Sequence, residues 1–500
     1  MSQIRRQSII STIIIFIGFA IGFFNNLFFT KTGWFSPDQY GLTRSFFDFS
    51  QIINAYSFLG LSAVIYKFSP YYKAHLNDKE NDLLSWALLF SVIGFLLFLT
   101  GGIVFKSFFE RKFFVNSRIL VDYYYWIYPF GFSLLIFGIL ESYCWSLKRT
   151  VISNFLRETA LRLLTSALII LFIFRMISFD TFIKLFACIY GILVTILLVY
   201  LKQKGQLHFT FKVSKVTRRF RKKMITFGAF VFAGVAISTT AALSDSLTIS
   251  SKIGQAAIGI FAFSTYISNI IQVPQRSVIA ISIPVLSEAW REKNYAAIST
   301  LYKRSSINLL LISLFLFGNI WLCYDDGIKA LNLNPIFLEG KFVVLFYGLK
   351  LIVDMGTGVN GQIIATSNFW RFEFLTGIIL LLLIAPMNYF LIGRIGIVGA
   401  GISNFVAYTV YNIIRLVFLW KKFKMQPFSI NTLWAIIMAP TLFAVTYFVT
   451  QQLEGWAGIF CKGILYSSTF IVCVWYSKLT PDSAPVINTL KKKLGIRSAQ

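Results

Sequence analysis

Fourteen apolar runs, each long enough to cross a bilayer, recur between residue 7 and residue 476, with short polar connections between them. A spanning helix needs about 20 apolar residues. Lipid offers a bare backbone no hydrogen-bond partner, so such a chain is restricted to helices or a closed barrel. These runs are too continuous for the alternating apolar and polar residues of barrel strands. The expected fold class is an all-α polytopic membrane protein with about 14 transmembrane helices. Charged residues make up only 13% of the chain, too few to cover a water-exposed domain of this size. The fifth run is expected at 159–175, the eighth at 256–280 with a continuation through Pro284 left open, and the tenth at 342–364.

Orientation follows from the cations. Most of the 47 Lys and Arg fall in the even-to-odd connections and at the two ends, which places both termini in the cytoplasm. The connection 106–118, with Lys106, Arg111, Lys112 and Arg118, runs against this bias on the outer side. The net charge of +27 is spread over loops that flank spans, a pattern that suits topology and anionic membrane lipids, not nucleic acid. The densest cluster, Lys202 to Lys223, carries nine basic residues and no acid and reads as a cytoplasmic connector. Arg5 and Arg6 precede an apolar stretch that is longer than a signal core and has no small-residue cleavage site, so it is read as a first helix. Cys144, Cys188, Cys323, Cys461 and Cys473 show no metal-like spacing. His75 and His208 are the only histidines, so neither a metal site nor a histidine-based nucleophile is expected.

The string beginning Tyr40-Gly41-Leu42 and that beginning Ile258-Gly259-Ile260 align at a fixed offset. They share Gly41 with Gly259, Ser50 with Ser268, and Ile52-Ile53 with Ile270-Ile271. Each is followed by a proline-containing exit, Phe68-Ser69-Pro70 and Ser282-Ile283-Pro284. Two pseudo-symmetric six-helix lobes are the expected result, at 1–201 and 224–425, joined by a basic connector at 202–223. A two-helix addition at 426–477 and a basic tail at 478–500 complete the chain. Parallel repeats of this kind place a transport pathway between the halves.

Three phrases, Pro37-Asp38-Gln39-Tyr40-Gly41-Leu42-Thr43-Arg44, Val273-Pro274-Gln275-Arg276-Ser277 and Thr357-Gly358-Val359-Asn360-Gly361-Gln362-Ile363-Ile364, resemble those of polysaccharide-biosynthesis lipid flippases. These belong to the multidrug, oligosaccharidyl-lipid and polysaccharide exporter superfamily. The resemblance implies an alternating-access exporter of a lipid-linked anionic glycan, undecaprenyl-pyrophosphate-linked oligosaccharide, in the bacterial cytoplasmic membrane. It also implies a glycan polymerase or other envelope-assembly proteins as partners.

Charged residues at membrane depth are the first functional candidates. Lys350 and Asp354 are four apart in the tenth run, hence on one helical face. The rise per residue puts Lys350 about 12 Å inside the outer boundary and Asp354 near the midplane. Two readings stand: Lys350 meets the pyrophosphate while Asp354 tunes it or couples a cation, or the two neutralise each other as a structural pair. Arg276, after Pro274, is a candidate diphosphate ligand, or it snorkels to the interface. Arg44 and Arg162 are further candidates for the substrate. Asp48, the other candidate for ion coupling or charge pairing, lies close to a span end, as do Glu141 and Asp245, and a solvated or capped terminus is the plainer account of all three. The remaining cations at membrane depth are Arg415 and Lys462.

Gly356-Thr357-Gly358-Val359-Asn360-Gly361 matches a dinucleotide fingerprint in letters but lacks the surrounding parallel-sheet unit. Close helix packing or an unwound backbone facing a cavity is expected there instead. Pro129, Pro386 and Pro440 are expected to break helices inside spans. The aromatic group from Tyr123 to Tyr128 is expected to form an interfacial belt.

Three functions compete. A flippase needs no catalytic residue and no cofactor. A cation-coupled efflux antiporter of the same fold would want a buried acid in the first lobe, where the first span offers only Asn25 and Asn26. A membrane glycan polymerase or ligase would need a sizeable outer loop, and none exceeds about 20 residues. No phosphate-binding G-x-x-x-x-G-K-[ST] string occurs, so ATP hydrolysis by this chain is not expected.

Overall fold

The structure, a computed structural model, describes residues 3–480. The basic tail expected over 478–500 lies, from residue 481 on, outside the described residues. The described chain is all-helical and packs into two compact units, one ending at Gly259 and the other beginning at Ile260.

The first unit contains α1 (Gln3–Thr30), α2 (Pro37–Ser57), α3 (Leu61–His75), α4 (Leu83–Val104), α5 (Lys106–Phe113), α6 (Arg118–Asp122), α7 (Ile127–Ser146), α8 (Thr150–Asn154), α9 (Leu161–Ile173), α10 (Phe179–Gln203) and α11 (Lys215–Lys252). The second holds most of α12 (Gln255–Asn269), then α13 (Val273–Arg291), α14 (Tyr295–Ala330), α15 (Lys341–Gly356), α16 (Asn360–Thr366), α17 (Trp370–Ile395), α18 (Ile397–Phe423), α19 (Ile430–Thr450) and α20 (Gly455–Tyr476).

Among the described residues, 11 helical segments are long and apolar enough to cross a membrane, or 12 if the bent pair α2 and α3 is one span. The other two expected runs fall on interrupted helices. The fifth lies on α9, which follows α8 through a π-helical stretch, Phe155–Ala160. The tenth is split between α15 and α16. The eighth does continue through Pro284, because α12 and α13 together form one candidate span, Gln255–Arg291.

Local chemistry sets the breaks. Ser36 and Gln39 form a capping box with Pro37 in the first turn, which starts α2. The 49° bend between α2 and α3 passes through Leu59 and Gly60, both at positive φ. A Cβ on Gly60 would stand 2.3 Å from the Gly228 carbonyl oxygen, so α11 packs directly on the bend. The expected exits at Pro70 and Pro284 are instead helix interiors, within α3 and α13. In a membrane helix the carbonyl that a proline frees can be re-satisfied by neighbouring helices or by Ser and Thr side chains, so the helix carries on past it. Pro386 and Pro440 likewise lie inside continuous helices, α17 and α19, so the breaks expected there do not occur. Pro129 lies in the first turn of α7, where no helical hydrogen bond depends on its missing N–H.

The connector is shorter and better held than its composition suggests. Helix α10 runs to Gln203 and α11 begins at Lys215. Between them, Arg149 Nε donates to Gln206 Oε1 at 2.8 Å, the Thr210 N–H to Ser85 Oγ at 2.9 Å and the Ser214 N–H to Asp82 Oδ2 at 2.9 Å. Asp82 is buried and also accepts from Thr217 Oγ1 at 2.8 Å. In the second unit α14 is the hub. Leu310, Leu314 and Leu322 pack against Ala435 and Ala439 of α19 and against Tyr466 and Phe470 of α20.

Candidate functional site

The break between α15 and α16 organises a buried polar cluster. Gly358 sits at φ 65°, and a Cβ there would crowd Ser305 Oγ at 2.8 Å and the Ser306 nitrogen at 3.0 Å. Ser306 Oγ donates to the Gly356 carbonyl. The glycine-rich string thus gives both expected outcomes, close packing against α14 and a locally unwound turn.

Around the break, Asn412 of α18 is the central residue. Its carbonyl oxygen accepts from Thr357 Oγ1 and from Asn360 Nδ2, each at 2.9 Å, and its Nδ2 donates to Asp354 Oδ1 at 3.1 Å. Gln275 Nε2 of α13 donates to the other Asp354 oxygen at 3.2 Å. Two amide donors therefore satisfy the Asp354 carboxylate.

Lys350 has a different environment. It is 7% exposed, and its Nζ lies 4.2 Å from the ring centre of Tyr347 and 4.0 Å from that of Tyr408. Among the described residues it forms no ion pair, with Asp354 or any other acid. The two candidates share a face of α15 as the spacing requires, but each is held by other groups. Arg276 is exposed on α13, next to Gln275.

One turn beyond Asn412, Arg415 forms a two-pronged ion pair with Glu373 of α17 and lies over the Tyr411 ring, 3.7 Å from its centre. A Cβ on Gly361 would come within 3.1 Å of the guanidinium, so this glycine makes room for it. The sequence reading missed the Arg415 pairing. The available signal was depth, since Glu373 and Arg415 lie about twenty residues to either side of the tight turn at Gly396. The same reading missed Lys462 on Asp326, a buried pair at 2.5 Å that ties α20 to α14.

The opposite face of α15 is apolar. Leu349, Val353 and Gly356 wall a cavity of about 460 Å³ whose far sides come from Phe317 of α14, Phe443 of α19 and Tyr466 of α20. Thr357 borders both this cavity and the polar cluster.

In the first unit the candidate arginines are partly paired. Arg44 donates to Asn26 Oδ1, which also accepts from the Tyr40 hydroxyl at 2.7 Å. The Arg44 Nε remains buried without a partner. Arg162 pairs with Glu158 at 3.1 Å and keeps a buried Nη1 without a partner. Its side chain lies against α1 where Gly18 and Gly22 leave space; a Cβ on Gly22 would be 3.0 Å from Arg162 Nε. Asp48 is half-buried and hydrogen-bonded to Ser246. Glu141 and Asp245 are buried and not solvated span ends. The π-helical stretch carries Arg157 to Glu141, where they pair at 2.9 Å. Among the described residues no three His, Cys, Asp or Glu gather as a metal site.

These features define a multi-pass helical membrane protein with an amphipathic site in its second unit. The particular fold is known from solved transporters. The lipid II flippase MurJ, in an inward closed conformation, is similar at a TM-score of 0.73, covering 94% of this chain and 99% of its own at 14% identity. A multidrug resistance MATE family transporter of the MOP superfamily is similar in its inward-facing form at 0.60, covering 83% and 97% at 12% identity. An outward-facing form of such a transporter reaches 0.56, covering 84% and 96% at 14% identity. No family model and no curated protein sequence matches the chain. The fold is therefore that of the MurJ and MATE transporters.

Proposed function

We propose that the chain is a flippase that carries undecaprenyl-pyrophosphate-linked oligosaccharide from the cytoplasmic to the outer leaflet of a bacterial cytoplasmic membrane. The two lobes, 1–201 and 224–425, alternate in access, and α19 and α20 are an addition to that core. The observation that carries the reading is the two-faced α15. One face holds a buried lysine with aromatic neighbours and no counter-ion among the described residues, and the other walls an apolar cavity of about 460 Å³. A lipid diphosphate has matching requirements: an anion that completes the lysine's charge and a chain that prefers apolar walls.

In this reading Lys350 contacts the diphosphate, and Arg276, exposed on α13, offers a second cation. Arg44 and Arg162 each keep a spare guanidinium nitrogen for phosphate or acidic sugar oxygens. Asp48 is a charge partner of Arg44, and the amides on Asp354 fix the orientation of the helix that carries Lys350. No bond is made or broken in the substrate, so the chain is not an enzyme. Glycan polymerase and other envelope-assembly proteins take the product.

The test is the leaflet distribution of the lipid-linked oligosaccharide in depleted cells, read with a probe confined to the outer face. Inner-leaflet accumulation that is reversed by restoring the protein is the expected result. An unchanged distribution in cells with no second flippase sinks the proposal. The MATE-like fold favours cation-coupled efflux of small molecules as the second reading, and that outcome would move belief to it.

A further inference from the structure

We propose that a second site, in the first unit, holds one acyl chain of an anionic bilayer lipid, with the lipid headgroup at the basic residues on and beside α5. The site is a cavity of about 400 Å³ between α2, α4, α5 and α7, walled by phenylalanines that include Phe49, Phe98, Phe109 and Phe113. The polar atoms at its edge are already satisfied. The Tyr124 hydroxyl donates to the Gly102 carbonyl at 2.8 Å, and the Tyr124 and Tyr128 hydroxyls pair at 2.5 Å. Water entering such a space would find few partners, so its suitable occupant is hydrocarbon.

The mouth identifies the source of the hydrocarbon. Phe105 and Phe108 line the cavity yet are 66% and 69% exposed, and exposed Ile103 and Val104 continue the apolar surface from them. Such a surface on a membrane helix is covered by bilayer lipid. The charge beside it specifies the headgroup. From Phe105 to Arg118 the chain carries Lys106, Arg111, Lys112 and Arg118 against the single acid Glu110, which Lys106 engages at 3.3 Å. This is the connection that runs against the inside-positive bias, and a bound anionic lipid supplies a reason for it. The inference rests on the topology proposed above, in which 106–118 lies at the outer face. It does not depend on which substrate is carried.

Native mass spectrometry of the full chain, offered undecaprenyl phosphate together with phosphatidylglycerol or phosphatidylcholine of identical acyl chains, reads the site apart from transport. The wild type is expected to retain one phosphatidylglycerol at least tenfold better than phosphatidylcholine. Gly101→Leu fills the cavity, since a Cβ at this helical position meets nothing within 4 Å, and is expected to lose the retained lipid. The surface variant Arg111→Gln with Lys112→Gln is expected to keep a lipid but lose the headgroup preference, which tests the proposal even if the cavity variant fails to fold. Equal retention by Gly101→Leu, no headgroup preference in the wild type, or retention of undecaprenyl phosphate in place of phosphatidylglycerol would each overturn it.

Discussion

Two lysines lie buried in the second unit, and they are held in opposite ways. Lys462 is 8% exposed and sits on Asp326 at 2.5 Å, with the Gly455 N–H completing the carboxylate at 3.2 Å. Lys350 is 7% exposed and has two tyrosine rings in place of a carboxylate. Ring faces attract an ammonium by about 0.5–2 kcal/mol, well below the cost of desolvating it. The first lysine is part of a closed lock between α14 and α20, whereas the second retains a charge that an anionic ligand can complete. Burial alone does not mark function; what distinguishes the two sites is whether the charge already has its partner.

The comparison breaks most visibly at the lock. Asp326→Ala should destabilise the protein by about 3–5 kcal/mol, read as lower membrane abundance and a lower melting temperature in detergent, while the apolar pair Asp326→Leu with Lys462→Met should recover most of it. At the other lysine the effect should fall on transport. Lys350→Ala should reduce flipping at least tenfold, equivalent to about 1.4 kcal/mol, at unchanged abundance, with Lys350→Arg retaining more. If Lys350→Ala acts only by removing the protein from the membrane, the two lysines are alike and the contrast is lost. Thr357→Val, which takes one donor from Asn412, should cost about 1 kcal/mol in melting experiments and shift transport only slightly. The exposed pair Lys329 and Glu454, at 3.0 Å beside the lock, sets the floor: Lys329→Ala should leave the melting temperature within error.

The helices were legible because apolar runs of bilayer length admit few alternatives, and the glycine-rich turn after α15 was legible because glycine has so few uses at that density. Lys350 and Asp354 stood out as charges at membrane depth. Their partners did not, because Tyr408 and Asn412 come from another helix and nothing in linear spacing announces a cation held by rings. The reading of Glu141 as a solvated or capped terminus failed for a related reason. A π-helical stretch shifts helical phase by one residue, and the plain 3.6-residue count gives no hint that Arg157 will face it. Arg415 and Glu373 were within reach of depth arithmetic; Lys462 and Asp326, 136 residues apart, were not.

The fastenings at Gln206, Thr210 and Ser214 bear on how the segment between α10 and α11 behaves under load. Successive anchor points are four residues apart, so no slack longer than three residues exists between them. A tether of free chain absorbs displacement by straightening, but a strand pinned at this interval passes it on. Motion of the α11 start is therefore delivered to the first turn of α4 through Asp82, and the segment acts as a strut where its composition suggested a leash.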